Sequence, residues 1–317
     1  MSQITLDASL VQACLTGSAN AYYAFYNPDH HPMPAPAGFA SPPASFRGWD
    51  DFLDTPTGEP FALAYQHATD PTTVLVAFRG TASMWDALID AFEYGTPFTP
   101  SDSGVHLPND LYVARGFLDT YTGTDAGLPV SLQTDLFGYL RRVGARKVIV
   151  TGHSLGGALA NLFAFDVALS LPAATVVNVT LASPRTGKGA WQAVYDGTAA
   201  GGGTLGDSTF RIENVRDVVP CLPLPNLNAY QHVGRPFKVE FWPSSYTAHT
   251  ILSRHSLSNY TYVLERALAA QPQQWAGLFP DQSVSDPNAY PRIQSQAPTA
   301  ADCSLLWEVA EQVLAMR

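Results

Sequence analysis

The stretch VIVTGHSLGGALANLFAFDVAL, residues 148–169, constrains the fold more than any other part of the sequence. Its first half is an apolar run that ends at Gly152, and its second half is rich in Ala and Leu at helical spacing. Ser154 stands at the corner between the two, and we expect it to be lifted above the edge of a sheet. A buried strand that leads into a buried helix is typical of a parallel sheet covered by helices.

The pentapeptide from Gly152 to Gly156, GHSLG, fits the nucleophile-elbow pattern G-x-S-x-G. A serine in such a corner takes strained backbone angles, and Cβ atoms two residues to either side would collide, so glycine is needed there. The helix that follows directs free N–H groups and its positive dipole end to the same place. Because the pattern is common by itself, the prediction that Ser154 is a nucleophile depends on the strand before it and the helix after it.

A serine nucleophile needs a base that is oriented by a third group, and α/β-hydrolases carry these in the order Ser, acid, His. Of the histidines after Ser154, His255 is favoured because it lies in a loop after the last predicted strand and before a helix. His249 is a rival in a nearby loop. His232 precedes the last strand, which is the wrong side for this architecture.

The orienting acid is predicted to be Asp217, which ends a predicted strand just before a Pro-rich loop. An acid at that position can point along the sheet edge toward the histidine loop. Asp196 and Asp207 lie in or beside a Gly-rich loop and are typical turn residues, and Glu213 would lie inside the strand.

Strand and helix patterns alternate through most of the chain. Alternation and β-branched content predict strands at 61–67, 72–78, 175–182, 209–215 and 237–242. Helical spacing predicts helices at 10–23 and at 257–269. It also predicts one helix in the segment 119–143, beginning at about residue 130. The fold class is therefore α/β, with a mostly parallel central sheet and helices on both faces. We expect a single domain over 1–317, with a core at about 60–270, a Pro-rich loop or flap at about 27–46 and a C-terminal extension at about 271–317.

Charge, cysteines and hydropathy exclude several classes of protein. A net charge of -10 argues against nucleic acid or an anionic membrane surface as the main partner. The three cysteines are too few for a disulfide scaffold, although a bridge from Cys14 to Cys303 is compatible with their positions near the two ends.

No window has 18 continuous apolar residues, so the sequence predicts no transmembrane helix. The first residues lack the features of a signal peptide. The protein is thus expected to stay inside the cell, to leave by another route or to have lost its signal.

Five separated motifs resemble the class 3 (fungal-type) lipase family, which has the α/β-hydrolase fold. They are VLVAFRGTAS at 74–83, GFLDTY at 116–121, VTGHSLGGALA at 150–160, NVRDVVPCLP at 214–223 and HSLSNY at 255–260. Their ordered combination is specific, whereas any one motif is not. The resemblance implies Ser154, Asp217 and His255 as the catalytic triad, with Thr81 and Leu155 as backbone donors of the oxyanion hole. It is also compatible with secretion.

The chain also departs from the family pattern. Ala114 stands where the family often has His, and neither the Pro-rich segment nor the tail fits a family motif. The segment after the FRG motif often forms a helical lid in the family. Here an apolar stripe at helical spacing predicts either that lid or a helix packed permanently on the core; it consists of Trp85, Leu88, Ile89 and Phe92.

These features predict an enzyme, a carboxylic ester hydrolase. We expect a lipase acting on triacylglycerols through an acyl-enzyme on Ser154. The alternatives are an esterase for short-chain or aromatic acyl esters, or a phospholipase; a non-catalytic binding module is disfavoured because every triad member is present. The expected partners are lipid or ester substrates, and the family resemblance adds a lipid–water interface. We expect neither nucleic acid nor a stable protein partner. No cofactor is required, and the Asp29-His30-His31 run is more typical of solvated loop residues than of metal ligands.

Overall fold

The computed structural model describes residues 6–28, 33–50, 57–81, 95–223, 229–239 and 254–270. The helices in these ranges are α1 Ala8–Tyr26, α2 Arg115–Thr122, α3 Leu132–Val143, α4 Leu155–Ser170, α5 Gly189–Gly197 and α6 Leu257–Ala270. The strands are β1 Ala44–Asp50, β2 Thr57–Gln66, β3 Thr73–Phe78, β4 Gly95–Pro97, β5 Tyr112–Ala114, β6 Lys147–His153, β7 Thr175–Leu181, β8 Gly187–Lys188, β9 Thr209–Asn214, β10 Tyr230–Gln231 and β11 Arg235–Val239. Val219–Cys221 forms a short 3-10 helix.

A central sheet carries seven of these strands in the order β1-β2-β3-β6-β7-β9-β11. The pairs β1–β2 and β2–β3 are antiparallel, and every pair from β3 to β11 is parallel. In the parallel part, Phe78 at the end of β3 lies opposite Gly152 at the end of β6. The carboxyl ends of the parallel strands therefore meet at one edge. The predicted α/β fold with a mostly parallel sheet is confirmed.

Both faces of the sheet are covered, which explains why β6 reads as a continuous apolar run. Val148 and Val150 belong to one buried cluster, together with residues of α2, α3 and α4. Ile149 belongs to a second cluster, together with residues of α1 and α6. Because successive side chains point to opposite faces of a strand, a strand that is buried on both faces has no polar alternation.

The short strands form a second sheet in the order β10-β8-β5-β4. Its pairs are antiparallel. Helix α5 follows β8 directly and buries Trp191 and Tyr195 in the same cluster as α4. This small sheet contributes Val113, Ala114 and Tyr230 to that cluster, so it packs against the same helical layer.

Several elements differ from the sequence-based expectation: β4, β5, β8, β10 and α5 were not predicted, and β1 and α2 differ in an instructive way. Strand β1 was not predicted: it begins at Ala44 inside the expected Pro-rich loop, and it pairs with β2 along its whole length. An edge strand needs only one partner, so it tolerates the prolines that precede it. Helix α2 was also missed, since the helix of this region was expected from about residue 130; its eight residues are too few for a clear apolar period.

Several predicted features lie outside the described residues. These are the stripe of Trp85, Leu88, Ile89 and Phe92, the rival base His249, the Asp29-His30-His31 run, Cys303 and the extension at 271–317. Cys14 is a buried free thiol, and burial raises its pKa to about 12. Across the ranges given above, we find no helix with the length and apolarity needed to span a bilayer. The predicted division into core, insert and extension stays a prediction.

Candidate active site

Ser154 occupies a strained corner between β6 and α4. Its backbone has φ 60 and ψ -130, a region that residues with a Cβ atom rarely adopt. The corner is held by main-chain hydrogen bonds, because Ser154 donates its N–H to the Leu181 carbonyl at 3.0 Å and accepts from the Gly157 N–H at 2.8 Å. Although Ser154 is the N-cap residue of α4, its side chain accepts no hydrogen bond from the first turn of the helix. The hydroxyl is therefore not used to cap the helix.

The glycines around this corner are required by close backbone contacts. A Cβ atom on Gly152 would lie 2.1 Å from the carbonyl oxygen of Gly156, and one on Gly156 would lie 2.5 Å from the carbonyl oxygen of Phe78. In both cases the obstructing atom belongs to the backbone, which cannot move aside as a flexible side chain would. The structure thus gives a definite steric reason for the pattern G-x-S-x-G.

His255 and Asp217 form a buried hydrogen-bonded pair beside the corner. The Nδ1 atom of His255 lies 2.8 Å from Oδ2 of Asp217, and the two residues are 3% and 1% exposed. Tyr260 donates from its hydroxyl to the same carboxylate oxygen at 3.0 Å, and the N–H of Val219 donates to Oδ1 at 3.0 Å. These bonds hold the carboxylate and the imidazole in one orientation.

The two atoms that the sequence analysis predicts to react are both unpaired. Ser154 Oγ and His255 Nε2 are buried, and neither makes a hydrogen bond to any described residue. Both residues line one cavity of about 810 Å³. A buried polar atom without a partner is costly, and such atoms concentrate where a ligand or a reaction supplies the partner. Bonds between a nucleophile and its base are often long without substrate.

His153, the residue before Ser154, connects the histidine loop to α1. Its Nε2 lies 2.7 Å from the His255 carbonyl oxygen, and its Nδ1 lies 3.0 Å from the Tyr22 hydroxyl. Since a carbonyl only accepts, Nε2 carries the proton and Nδ1 accepts from Tyr22. Burial, and secondarily the charge of His255, lowers the pKa of His153 well below its usual value. The imidazole of His153 is therefore neutral.

The two predicted oxyanion donors lie at opposite sides of the corner. Thr81 follows the end of β3 and lines the same cavity as Ser154 and His255. Leu155 is the first residue of α4, and the first N–H groups of a helix have no partner within the helix. The geometry thus brings the predicted triad and both predicted oxyanion donors to one edge of the sheet; these are Ser154, Asp217, His255, Thr81 and Leu155.

Sequence reasoning assigned no role to Arg185, which holds the loop that carries Asp217. Its backbone N–H donates to the Leu222 carbonyl at 2.8 Å, and its Nη1 donates to the carbonyls of Pro223, at 2.8 Å, and Cys221. Tyr22 and Tyr260 were missed in the same way. An arginine or a tyrosine that binds a distant group has no characteristic local spacing. Of the three, only Tyr260 lies in a motif given above, as the last residue of HSLSNY.

The rival residues have other partners. His232 donates from Nε2 to the Pro220 carbonyl at 2.7 Å, because a carbonyl oxygen only accepts. Glu213 forms an ion pair with Arg211 at 2.8 Å inside β9. Asp196 accepts from the Gly234 N–H, and Asp207 accepts from Thr204 in a turn. Within the described ranges, no three His, Cys, Asp or Glu residues are grouped as metal ligands.

Comparison with known proteins gives one family and a common fold. Residues 75–227 match the family Lipase (class 3). Phospholipase A1 EG1, chloroplastic/mitochondrial, of Oryza sativa subsp. indica is 32% identical over 228 residues, which cover 63% of this chain and 49% of that protein. The secreted alkaline triacylglycerol lipase of Penicillium cyclopium is 27% identical over 186 residues, which cover 58% and 59%. The chain thus spans about half the length of these curated relatives.

A solved structure shows the same fold. The lipase from Rhizopus microsporus var. chinensis superposes with a TM-score of 0.55 at 22% identity, over 81% of this chain and 88% of that chain. At this identity the likeness concerns the fold alone. The described strands and helices around the corner serine therefore have the arrangement of the α/β-hydrolase fold.

Proposed function

Since this chain belongs to the class 3 lipase family, we propose that it is a serine hydrolase of carboxylic esters, and in particular a lipase that acts on triacylglycerols. The observation that carries the proposal is the orientation of His255: Nδ1 is bonded to Asp217 at 2.8 Å, and Nε2 is left unpaired in the cavity that Ser154 also lines. An imidazole that is anchored on one nitrogen and free on the other is arranged to accept a proton from a hydroxyl.

The proposed reaction proceeds in two steps on Ser154. His255 Nε2 takes the hydroxyl proton while Oγ attacks the ester carbonyl, and the resulting imidazolium returns the proton to the leaving alcohol. Water, deprotonated by the same histidine, then releases the acid from the acyl-enzyme. Asp217 stays ionised and stabilises the imidazolium. The N–H groups of Thr81 and Leu155 stabilise the tetrahedral oxyanion, to which one such donor typically contributes about 2.7–4 kcal/mol.

The charges of the cavity support a neutral ester as substrate. Among the described residues that line it, Glu265 is the only carboxylic acid, and none is an arginine or a lysine. Recognition of a phosphate group usually relies on arginine or lysine. A phospholipid headgroup would therefore find no cationic partner in this part of the wall, which favours triacylglycerol over the phospholipase alternative.

The proposal is tested with purified protein on a series of p-nitrophenyl esters from acetate to oleate, with and without dispersed triglyceride, and on phosphatidylcholine vesicles. We expect hydrolysis of the ester series and of triglyceride, with little release of fatty acid from the vesicles. Preference for acetate without activity on triglyceride would indicate a short-chain esterase. Rapid hydrolysis of the vesicles would indicate a phospholipase.

The variant Ser154→Ala is expected to lower kcat at least about 10⁴-fold, because the nucleophile is lost. Ser45→Ala is the matched control, since Ser45 is an exposed serine of β1, the edge strand that lies three places from β6 in the sheet order. A fluorophosphonate probe should label the wild type on Ser154 and leave the Ser154→Ala protein unlabelled. Full activity of that variant would contradict the proposal, and a wild type that neither reacts nor hydrolyses would favour a binding module.

A further inference from the structure

Arg79 lies directly after β3, on the strand end that leads to Thr81, and its side chain is only 1% exposed. Its guanidinium carbon lies 3.9 Å from the ring centroid of Phe25 and 3.8 Å from that of Phe61. An arginine enclosed between two aromatic rings is held in one plane, because the rings restrict both faces of the guanidinium group.

The edge of this guanidinium group is bonded at each of its nitrogens. Nε donates to the Pro60 carbonyl at 2.6 Å, and Nη2 donates to the Glu59 carboxylate at 2.8 Å. Nη1 donates to the carbonyl oxygen of Gly80 at 2.8 Å. Two nitrogens thus anchor the group on β2, and the third fixes the carbonyl of the peptide that joins Gly80 to Thr81.

That peptide carries the N–H group of Thr81. In a planar trans peptide the C=O and the N–H point in opposite directions. A guanidinium group that binds the Gly80 carbonyl therefore directs the Thr81 N–H away from Arg79, and Thr81 itself lines the cavity that contains Ser154 and His255. The preceding peptide is also held, because the backbone of Gly80 is hydrogen-bonded to the Tyr22 hydroxyl.

We propose that Arg79 is a positioning residue of the oxyanion hole, which orients the Thr81 N–H by fixing the Gly80 carbonyl. The proposal rests on the function proposed above, in which that N–H stabilises the tetrahedral oxyanion. Arg79 touches neither substrate nor reacting atoms. A lysine in its place carries the same charge but has a single nitrogen, so it cannot bind Gly80 while it is anchored on Pro60 and Glu59.

The test compares Arg79→Lys with the wild type on p-nitrophenyl butyrate, with kcat expressed per active site after complete labelling by a fluorophosphonate. We expect kcat per site to fall about 10- to 100-fold with KM changed less than about threefold, because the donor is needed in the transition state and not in the ground state. The affinity for a trifluoromethyl ketone should fall by the same factor, since the oxyanion of its serine adduct occupies the hole. A merely structural role would reduce the number of titrated sites and leave both values unchanged.

Arg211→Lys is the matched control. Arg211 is also a buried arginine that binds a carboxylate, Glu213, at 2.8 Å and a backbone carbonyl, that of Gly234, at 3.0 Å, but in β9. It should keep the wild-type kcat per site. Glu59→Gln serves as a second variant, because it keeps Arg79 and weakens one anchor; a loss of kcat and of ketone affinity of about two- to fivefold is expected.

The outcomes separate the two proposals. A wild type without Ser154-dependent hydrolysis overturns the proposed function. A wild type that is active, together with an Arg79→Lys protein that retains kcat per site and ketone affinity, overturns the role of Arg79 alone. Should Arg79→Lys fail to fold, the Glu59→Gln protein decides, and unchanged kcat and ketone affinity there would refute the inference.

Discussion

Asp217 is the residue at which most of the bonds of the candidate site converge. One of its carboxylate oxygens receives His255 Nδ1 and the Tyr260 hydroxyl, and the other receives the N–H of Val219. Tyr260 in turn accepts the N–H of Asn214 at 2.6 Å. The acid is therefore held by the end of its own strand, by its own loop and by α6, so its direction is set independently of the histidine.

We predict that Asp217→Asn lowers kcat on p-nitrophenyl butyrate by about 10³- to 10⁴-fold with little change in fold. An amide at this place no longer carries the negative charge that stabilises the imidazolium, and its NH₂ group favours the tautomer with the proton on Nε2. Steady-state kinetics and circular dichroism measure the two effects. Asp207→Asn, in an exposed turn, should match the wild type; activity within tenfold of wild type in Asp217→Asn would refute the assigned role.

At the scale of elements, the strand–corner–helix unit depends on the close approach of β6, α4 and the end of β3. Gly152 faces the carbonyl of Gly156, and Gly156 faces the carbonyls of Phe78 and Arg79. The same approach brings the end of β3, and with it Thr81, beside Ser154. The contacts that require glycine at positions 152 and 156 and the contacts that place Thr81 beside Ser154 therefore have one cause, the close packing of β3, β6 and α4.

We predict that Gly152→Ala destabilises the protein by about 3 kcal/mol or more, because its Cβ atom would lie 2.1 Å from a backbone oxygen. Urea denaturation measures the change. The control is Gly138→Ala within α3, where a Cβ atom meets nothing within 4 Å; this change should stabilise by about 0.5–1 kcal/mol. Equal effects of the two substitutions would show that the packing at the corner is looser than described.

At the scale of the whole molecule, two histidines, the buried His153 and the partly exposed His232, are held neutral near the carboxyl edge of the sheet. Burial, with the charge of Arg211 as the next cause, lowers the pKa of His232 to about 3. Burial and the charge of His255 lower the pKa of His153. An unfolded histidine titrates at about 6.5. Below that pH the unfolded chain binds more protons than the native protein, so stability falls as the pH falls.

We predict that the free energy of unfolding is lower at pH 5 than at pH 7.5, with His232 contributing on the order of 2 kcal/mol to the difference and His153 contributing in the same direction. The variant His232→Gln removes one titrating group and keeps a donor for the Pro220 carbonyl. Urea denaturation at both pH values should show a difference that is smaller by about 2 kcal/mol in the variant. An unchanged difference would mean that His232 does not contribute to the pH dependence.

Much of the fold could be predicted because its cause is local. The apolar run before Gly152 and the helical spacing after it specify a strand and a helix, and the steric demand of a serine corner specifies the glycines. The strands β2, β3, β7 and β9 were found by the same reasoning. Strand β1 and helix α2 were not, because the first depends on pairing with β2 and the second is too short to show a period.

For the candidate site, the sequence by itself determined the corner serine and the order in which an acid and a histidine follow it. The sequence also favoured Asp217 over Glu213 as the acid and His255 over its rivals as the base. Only the tertiary structure decided that Asp217 and His255 meet, since that contact depends on where two distant loops end. It alone also brought Arg79, Tyr22 and Arg185 to their carbonyl and histidine partners. Contacts of this kind join residues far apart in the chain or, as with Arg79 and the Gly80 carbonyl, bond a side chain to the backbone of the next residue. They leave no period or spacing in the sequence, because the sheet and the packing of α1 create them.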